Sequence, residues 1–383
     1  MKALTLSLLG LFSFLVGAMP ASAEQVYIAC GKLGVRVADF DSASGELSVT
    51  REALSLEGAG FIALHPNKPV VYATCSTEGE KSERGAIGAF KILEGGVLEL
   101  LNQSKTGSSG ACHLSIDATE QVVFAASYGS GSVASFQVKE DGSLSEAASI
   151  IKHEGSSIVP GRQNAPHAHY MAAGPNNQFA YVPDLGIDKV LIYRFDEKSA
   201  ELERSGAGVV AGGAGPRHMK FSKDGRFAYV LNELNLTVTT FRYNAKDGSL
   251  SELATVSVVP EGADTKKLSC AEIRVHPSGQ FVYTSQRDLL TGKDKSEVGR
   301  NSLSVLRVTE KGDLERVQTL SAGVRIPRNF NLDPSGKWLL AGGQASNDIQ
   351  VFSVDGDSGE LTSHGEPVPC PGAPMCFVFR PAD

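Results

Sequence analysis

The chain has 383 residues, of which 42% are hydrophobic and 21% charged, so it is large and apolar enough to bury a substantial core. Its formal net charge of −7 and isoelectric point near 5.7 argue against a nucleic acid or an anionic membrane surface as the main partner. The 41 glycines and 17 prolines predict many turns.

The first 23 residues have the pattern of an export signal. A positive Lys2 precedes the apolar run LTLSLLGLFSFLVGAM, which is followed by the small residues Ala21-Ser22-Ala23. The pattern predicts a signal peptide over 1–23 that is cleaved after Ala23, a mature chain over 24–383 and a periplasmic or secreted bacterial protein. An uncleaved anchor is the alternative, which the short apolar run disfavours. We expect no membrane contact after cleavage.

A short motif of the form Gly-x-Leu recurs along the mature chain. Counting one copy with alanine in place of glycine, its leucines are Leu47, Leu98, Leu144, Leu202, Leu250, Leu314 and Leu361. A second element recurs in step with it: an apolar stretch, a turn rich in Pro, Asp or Gly, and an aromatic stretch, as in MKFSKDGRFAYVLN. These elements predict repeat units of about fifty residues, each with four short antiparallel strands.

The two ends of the mature chain complement each other. The last copy of the second element, MCFVFRP, has only its first half, and VYIACG near the mature N-terminus supplies the other half. We therefore predict an all-β fold, a seven-bladed β-propeller whose ring is closed by pairing of the N- and C-terminal strands in one blade. A linear β-solenoid is the alternative, which the split unit disfavours because a solenoid needs caps.

One hairpin, GPRHMKFSKDGRFAYVLNEL, has charged residues at its ends. Arg217 and Glu233 are equally distant in sequence from the turn residue Gly225. Residues equidistant from a hairpin turn lie near each other. The innermost strand of a propeller blade follows the central channel and the next strand returns. We therefore predict that both side chains lie at one rim of the channel.

Other polar residues are placed around hairpin turns in the same way. The pairs are His169 with Asp184, Glu272 with Arg287, and Asn329 with Gln344. Because the blades are related by near-rotational symmetry, we predict that these rims form one polar pocket at one end of the channel. Its expected residues are His169, Arg217, Glu233, Arg287, Glu272, Asn329 and Gln344, with the neighbouring His113, His167 and His218 beside them. For any one of these charged residues taken alone, the alternative to a role in substrate binding is a structural ion pair.

The sequence indicates neither a metal nor a cofactor. His167 and His169 would share one face of a strand, but no carboxylate is spaced as an obvious third ligand, so we expect no metal site. There is no serine nucleophile elbow, no phosphate-binding loop and no dinucleotide fingerprint. The six cysteines allow many pairings: Cys370 and Cys376 are close enough to close a small loop, and buried free thiols are the alternative.

Several segments resemble one known family. APHAHY at 165–170, GPRHMKF at 215–221, YVLNELNLTV at 229–238 and AEIRVHPSGQFVYTSQRD at 271–288 are similar to motifs of the seven-bladed propeller lactonases. This family includes bacterial propeller-type 6-phosphogluconolactonase and fungal carboxy-muconate cyclases. The resemblance covers nearly the whole mature chain. It implies catalytic roles for His169, Arg217, Glu233 and Arg287, and binding of a small lactone without a cofactor.

The resemblance implies hydrolysis of a sugar lactone by water attack at the lactone carbonyl. Glu233 or His169 would act as general base, Arg217 would neutralise the oxyanion, and Arg287 would hold the substrate. His167, His218, Glu272, Asn329 and Gln344 would contribute to substrate binding. The export signal argues against a phosphorylated substrate. There are two alternatives: a muconate-type lactonising cycloisomerase, and a non-catalytic exported propeller that binds a ligand or a protein. The sequence leaves the oligomeric state open.

Overall fold

Short antiparallel strands form most of the chain. The structure, a computed structural model, describes residues 23–80, 83–289 and 300–380. The expected signal peptide lies outside the described residues except for Ala23, which begins the first strand. Within the described ranges, no helix is both long and apolar enough to span a bilayer.

The strands of the described residues form seven sheets, which are the seven predicted blades. Blade 1 contains β1 (Ala23–Ala29), β2 (Val35–Asp41), β3 (Glu46–Leu47) and β4 (Arg51–Leu54). Blade 2 contains β5 (Ile62–Leu64), β6 (Val70–Ser76), β7 (Gly85–Ile92) and β8 (Leu98–Lys105), with a 3-10 turn at Glu94–Gly96 before β8. Blade 3 contains β9 (His113–Ile116), β10 (Val122–Ser127), β11 (Ser132–Val138) and β12 (Leu144–Lys152).

The remaining blades repeat this order. Blade 4 contains β13 (Ala172–Ala173), β14 (Phe179–Asp184), β15 (Lys189–Phe195) and β16 (Leu202–Val209). Blade 5 contains β17 (Pro216–Phe221), β18 (Phe227–Asn232), β19 (Thr237–Tyr243) and β20 (Leu250–Ser257). Blade 6 contains β21 (Leu268–Val275), β22 (Phe281–Asp288), β23 (Ser302–Val308) and β24 (Leu314–Ser321). Blade 7 contains β25 (Pro327–Leu332), β26 (Trp338–Gly343), β27 (Asp348–Val354) and β28 (Leu361–Pro369).

The ring closes within blade 1, as the split repeat predicts. The last strand, β29 (Cys376–Arg380), pairs antiparallel with β1, with Val26 opposite Phe379 and Ile28 opposite Phe377. Around the ring, β29 contacts β5, β5 contacts β9, and the same neighbouring relation joins β17, β21, β25 and β29. These innermost strands surround the channel. The pairing of the two chain ends rules out a linear solenoid.

Burial differs between the inner and outer strands of a blade. Every residue of β10, β14 and β18 is buried, because the second strand of a blade packs against both neighbouring blades. The outermost β12 alternates between buried or half-buried and exposed residues, because only one of its faces packs against the protein. The apolar contact between neighbouring blades therefore forms the core.

The glycine of the Gly-x-Leu turn is required by packing between blades. Gly359 has φ +76°, and a Cβ there would overlap the ring of Phe281 in the preceding blade. Tyr283 of that blade donates a 2.9 Å hydrogen bond to the Gly359 carbonyl. The copy without glycine keeps the same backbone, since Ala200 has φ 59°. The repeat motif thus fastens each blade to the one before it.

Of the two alternatives for Cys370 and Cys376, the structure has free thiols and not a small loop closed by a disulfide. All six cysteines are free thiols, and five of them are buried. The thiol of Cys376 faces the carbonyl of Ile62 at 3.6 Å, whereas the nearest thiol to Cys370 is that of Cys30. The two cysteines are close in sequence but far apart in the fold, because the chain between them passes from the outer strand of blade 7 to the channel.

Gly359→Ala should destabilise the ring. A left-handed φ and the overlap with Phe281 together should lower the free energy of unfolding by about 2–4 kcal/mol, measured by urea denaturation. Gly356→Ala in the same turn is the matched control, because a Cβ there meets nothing within 4 Å. Equal stability of the two variants would contradict the packing role of the motif.

Candidate active site

The channel has two different mouths. At one, here called the site mouth, the innermost strands begin and the second strands of the blades end. At the other, the far mouth, the two strands are joined by their hairpin turn. Alternate residues of the innermost strands face the channel, so each strand contributes side chains at successive depths. The predicted site residues belong to the site mouth and the level just below it.

The carboxylate of Glu233 contacts three guanidinium groups at the site mouth. Its Oε2 lies 2.9 Å from Nε of Arg217 and 3.2 Å from Nη2 of Arg287. Its Oε1 accepts a 2.6 Å hydrogen bond from Nη2 of Arg162. The side chains of Glu233 and Arg217 are only 6% and 1% exposed, so this is a buried cluster of charges and not a surface pair.

The three guanidiniums keep Glu233 ionised. Burial alone would raise its pKa, but Arg287, Arg217, the nearby His169 and Arg162 outweigh burial and hold the pKa of Glu233 far below its usual range. Burial and the neighbouring Arg328 lower the pKa of Arg217 to about 10, so it also stays charged at neutral pH. Glu233 is therefore a permanent counter-ion and a poor general base.

Backbone contacts hold the two buried arginines. Arg217 donates through Nη1 to the carbonyl of Ala271 in the next blade. Arg287 donates through Nη2 to the Ser269 hydroxyl at 2.8 Å and to the Cys270 carbonyl at 2.9 Å. The amide of Glu233 donates to the carbonyl of residue 215 at 2.7 Å. Both ends of the ion pair are therefore fastened to rigid strands.

Bulges at the start of the innermost strands bring additional side chains into the channel. The register of β17 shifts between Pro216 and His218, so Arg217 is an extra residue, and the register of β25 shifts in the same way at Arg328. Such a bulge re-aims a side chain at a strand end. As a result, Arg217 faces Glu233 while the next residue, His218, contacts Glu272 one level deeper.

Two buried aspartates hold the long connections that frame the site mouth. Asp184 accepts from the amides of His167 at 2.6 Å and Gly186 at 3.0 Å, and its other oxygen lies 2.7 Å from Nδ1 of His153. Asp188 accepts from the amides of Gly213 and Gly215, both at 2.7 Å. These contacts fix the segment before β13, which carries the predicted histidines, and the segment that leads into Arg217.

His169 lies beside the charged cluster and is neutral. Burial, then Arg217, His218 and Arg328, lower its pKa well below the ordinary value of 6.5, and Glu233 only partly opposes this. Its Nδ1 is 3.8 Å from the thiol of Cys112, and its Nε2 makes no hydrogen bond within the part of the chain that the structure describes. A free nitrogen on a neutral imidazole can accept a proton.

His167 lies at the edge of the same mouth. It stacks on Tyr128 with ring centroids 4.3 Å apart, and Tyr128 makes an edge contact with His169 at 5.3 Å. His167 Nδ1 lies 2.9 Å from the Tyr128 carbonyl. No group of three or more His, Cys, Asp or Glu side chains in the described ranges is arranged to hold a metal ion. The histidine pair is explained by this aromatic packing.

A second acid, Glu272, lies one level deeper than expected. His218 Nδ1 is 3.1 Å and Arg274 Nη1 is 3.2 Å from Oε1 of Glu272, and Asn329 donates to its Oε2. The predicted pairing of Glu272 with Arg287 is wrong, because Arg287 is opposite Ser269, three residues before Glu272. The bulge between Cys270 and Ile273 accounts for one of these residues, and the hairpin register accounts for the other two. His218, Glu272 and Asn329 thus form a floor beneath the Glu233 cluster, with the ring of His113 5.4 Å from that of His218.

Gln344 does not join either acid. Its side-chain Nε2 donates to Sδ of Met375 at 3.2 Å. Its backbone N–H donates to the carbonyl of Ile326, which lies three residues before the predicted partner Asn329. In the hairpin register Asn329 is opposite Gly342, two residues before Gln344, and the bulge at Arg328 adds a displacement of one further residue.

Sequence reasoning missed two cations of the site mouth. Arg162 comes from the long connection between β12 and β13, which has no counterpart in the repeat, so no periodic signal indicates it. Arg328 precedes Asn329 and is half-buried. Burial and Arg287 lower its pKa, and no carboxylate pairs with it among the described residues. Only the bulge of β25, which a sequence pattern does not reveal, places it in the channel.

Comparison with known proteins gives the family of the chain. A family model described as Lactonase, 7-bladed beta-propeller, matches residues 25–379. The chain belongs to this family. It is 32% identical over 355 residues to the 6-phosphogluconolactonase of Bacillus subtilis, covering 92% of this chain and 96% of that protein. It is 30% identical over 332 residues to the 6-phosphogluconolactonase of Formosa agariphila, covering 86% of this chain and 90% of that protein.

A solved structure of this lactonase type is also similar. The periplasmic gluconolactonase of Pseudomonas aeruginosa superposes with a TM-score of 0.84 at 26% identity, covering 94% of this chain and 100% of that one. The family expected from the GPRHM and NEL segments is therefore confirmed, together with the propeller fold.

Proposed function

We propose that this chain hydrolyses the ring ester of a sugar (aldono) lactone at the site mouth of its channel. The observation on which the proposal rests is a neutral histidine, His169, beside a buried cluster of guanidiniums that one carboxylate only partly neutralises. Ester hydrolysis needs a proton acceptor for water and positive charge for the oxyanion. Relatives named 6-phosphogluconolactonase and gluconolactonase support the same chemistry.

His169 is the proposed general base. Its Nε2 takes a proton from the attacking water and returns it to the alkoxide that leaves when the ring opens. Both oxygens of Glu233 are engaged by arginines, so the carboxylate orients Arg217 and does not accept the proton. Of the two general bases that the sequence left open, we therefore propose His169 and not Glu233.

Arg217 and Arg328 are proposed to stabilise the oxyanion. Arg217 uses Nε for Glu233 and Nη1 for Ala271, which leaves N–H donors on its other terminal nitrogen. Arg328 lacks a carboxylate partner within the described ranges, so its guanidinium is available to an anionic group. Guanidinium suits this role because its donors match the geometry of carboxylate and phosphate oxygens.

The charge of the site mouth favours a substrate that carries oxygen-rich or anionic groups. Four arginines, Arg162, Arg217, Arg287 and Arg328, surround Glu233, so the mouth is cationic although the whole chain is acidic. This balance makes an anionic lactone compatible with the site, contrary to the inference from the export signal alone. His167 at the edge and His218, Glu272 and Asn329 in the floor are proposed to line the bound substrate.

We further propose that the protein acts in the periplasm or outside the cell. The support is the export pattern of residues 1–23 together with a similar lactonase that is named as periplasmic. The proposed chemistry uses only side chains of this chain and needs no cofactor.

Purified mature protein should release acid from glucono-1,5-lactone or its 6-phosphate, followed with a pH indicator. His169→Gln should lower kcat/KM by about 10²–10⁴-fold, the usual contribution of a general base. His364→Gln, on the outer strand of blade 7, is the matched control and should retain wild-type kcat/KM. Absence of acid release from a panel of sugar lactones would overturn the proposed function, and full activity of His169→Gln would overturn the assigned base.

The pH profile should report the lowered pKa of His169. The base is active when neutral, so kcat/KM should fall only when the pH drops through this pKa, which lies well below 6.5. The acidic limb should therefore have its midpoint below pH 6.5 and should be absent from the residual activity of His169→Gln. A limb centred above pH 6.5 in the wild type would contradict a buried neutral imidazole.

A further inference from the structure

A cavity lies at the far mouth of the channel. It has a volume of about 410 Å³ and lies below the floor formed by His218, Glu272 and Asn329. Lys220 of β17, Arg274 of β21 and Asn331 of β25 line one side of it, and the small residues Ala63 and Ser115 line the other. Small side chains opposite long cationic ones leave the space that a ligand needs.

The cations of this cavity are only partly compensated. Lys220 contacts Tyr170, with Nζ 3.5 Å from the hydroxyl and 4.9 Å from the ring centroid, and it forms no ion pair within the described ranges. Arg274 lies 3.2 Å from Glu272 and donates to Asn331 at 3.1 Å, and its side chain is 15% exposed. Glu272 is already shared with His218 and Asn329, so one carboxylate faces two cations here.

We propose that the far mouth is a binding site for a small organic oxyanion, a carboxylate or a phosphate group, held between Lys220 and Arg274. Apolar walls from Phe61, Leu64, Leu114 and Ile116 would contact the carbon part of the ligand. Its lining includes His113 of the predicted pocket but none of the residues proposed above to hydrolyse or bind the lactone, and Glu272 contacts Arg274 from the floor. Anion binding at the far mouth and lactone hydrolysis at the site mouth can therefore be tested separately.

The protonation of Lys220 supports this site and provides a readout. Burial, then Arg274, lower the pKa of Lys220 to about 7, and Glu272 partly opposes them. The titratable or charged groups that face the Lys220 amine are Tyr170, Glu272, Arg274, His113, His218 and Cys376. A bound oxyanion favours the charged amine, so anion binding should be tight below pH 7 and should weaken above it.

Sulfate is the probe, because it stays doubly ionised across this pH range. Calorimetric titration at pH 6 should show sulfate binding that weakens at pH 8. Lys220→Met should reduce the sulfate affinity at pH 6 by at least about tenfold, the usual scale for one charged hydrogen bond. Lys223→Met, an exposed lysine in the turn of the same hairpin, is the matched control and should bind like the wild type.

Equal sulfate affinity of Lys220→Met and wild type would overturn the proposal. Loss of all binding in Arg328→Gln would overturn it too, because it would place the anion at the site mouth. Competitive acetylation of the wild-type chain tests the same point without a substitution. Sulfate should protect Lys220, and not Lys223, from acetic anhydride; equal protection would also overturn it. Lactone hydrolysis by Lys220→Met should stay at the wild-type rate, which keeps the two functions separable.

A second site is formed by two cysteines at the junction of blades 7 and 1. Cys30 follows β1 and Cys370 follows β28, 340 residues later, and their sulfur atoms are 3.7 Å apart. Both side chains are fully buried. A hydrogen bond from Cys30, with Arg36 nearby, lowers the pKa of Cys370, although burial opposes this.

We infer that Cys30 and Cys370 form a disulfide when the protein folds in an oxidising compartment. The thiolate of one residue attacks a disulfide-bearing oxidant, such as oxidised glutathione, which forms a mixed disulfide and releases one thiol. The thiolate of the second residue then attacks the protein sulfur of the mixed disulfide and displaces the other thiol of the oxidant. One S–S bond forms between the cysteines, and the oxidant leaves as two thiols with the two electrons and two protons. The bond would join the ends of the ring beside the β1–β29 pairing.

Counting thiols tests the cross-link. The full chain is refolded with oxidised glutathione, unfolded without reductant and labelled with a maleimide. Four of the six cysteines should react in the wild type, five in Cys30→Ser, and three in the matched control Cys75→Ser, which keeps the bond. Peptide mapping should identify the 30–370 linkage, and reduction should lower Tm by roughly 5–10 °C. Six reactive thiols in the wild type, or a different linkage, would overturn the inference.

Discussion

The buried carboxylate of Glu233 is the constraint on which the site mouth depends. It is the acid that compensates arginines from three parts of the ring: Arg162 from the connection before blade 4, Arg217 from blade 5 and Arg287 from blade 6. Guanidinium groups this close to one another repel each other. They remain together in a buried site because the carboxylate lies between them. The same charges keep Glu233 ionised and His169 neutral, so one electrostatic balance sets the protonation of both groups.

The fold makes this balance possible because it holds charged groups at fixed positions. Each blade contributes the beginning of its innermost strand to one mouth, and bulges at Arg217 and Arg328 direct an additional cation inward. Aspartates away from the channel, Asp184 and Asp188, fix the connections without entering the site. Ring closure through β1 and β29 then prevents the blades from separating.

The sequence predicts the repeat, the blade number, the closure and the neighbourhood of Arg217 and Glu233, because turn glycines and strand alternation follow a regular period. It fails where one residue breaks that period. Glu272 and Asn329 are two residues out of register with Arg287 and Gln344, and a bulge in each hairpin adds one residue more. The sequence around a bulge resembles that of any other strand. Arg162 lies in a connection without a repeat, so its contact with Glu233 depends on tertiary structure alone. The depth of Glu272 follows from the same local irregularities, as does the position of Arg328, which forms no ion pair with the residues that the structure describes.

The most direct test of this account is a double-mutant cycle on Glu233 and Arg217, with stability measured by urea denaturation. Glu233→Gln should lower the free energy of unfolding by about 3–5 kcal/mol, because it leaves buried guanidiniums without their counter-ion. Adding Arg217→Gln should recover part of this loss, because it removes one of the uncompensated charges. If Glu233→Gln changed the stability by less than about 0.5 kcal/mol, the carboxylate would not hold the cluster together, and the account would be contradicted.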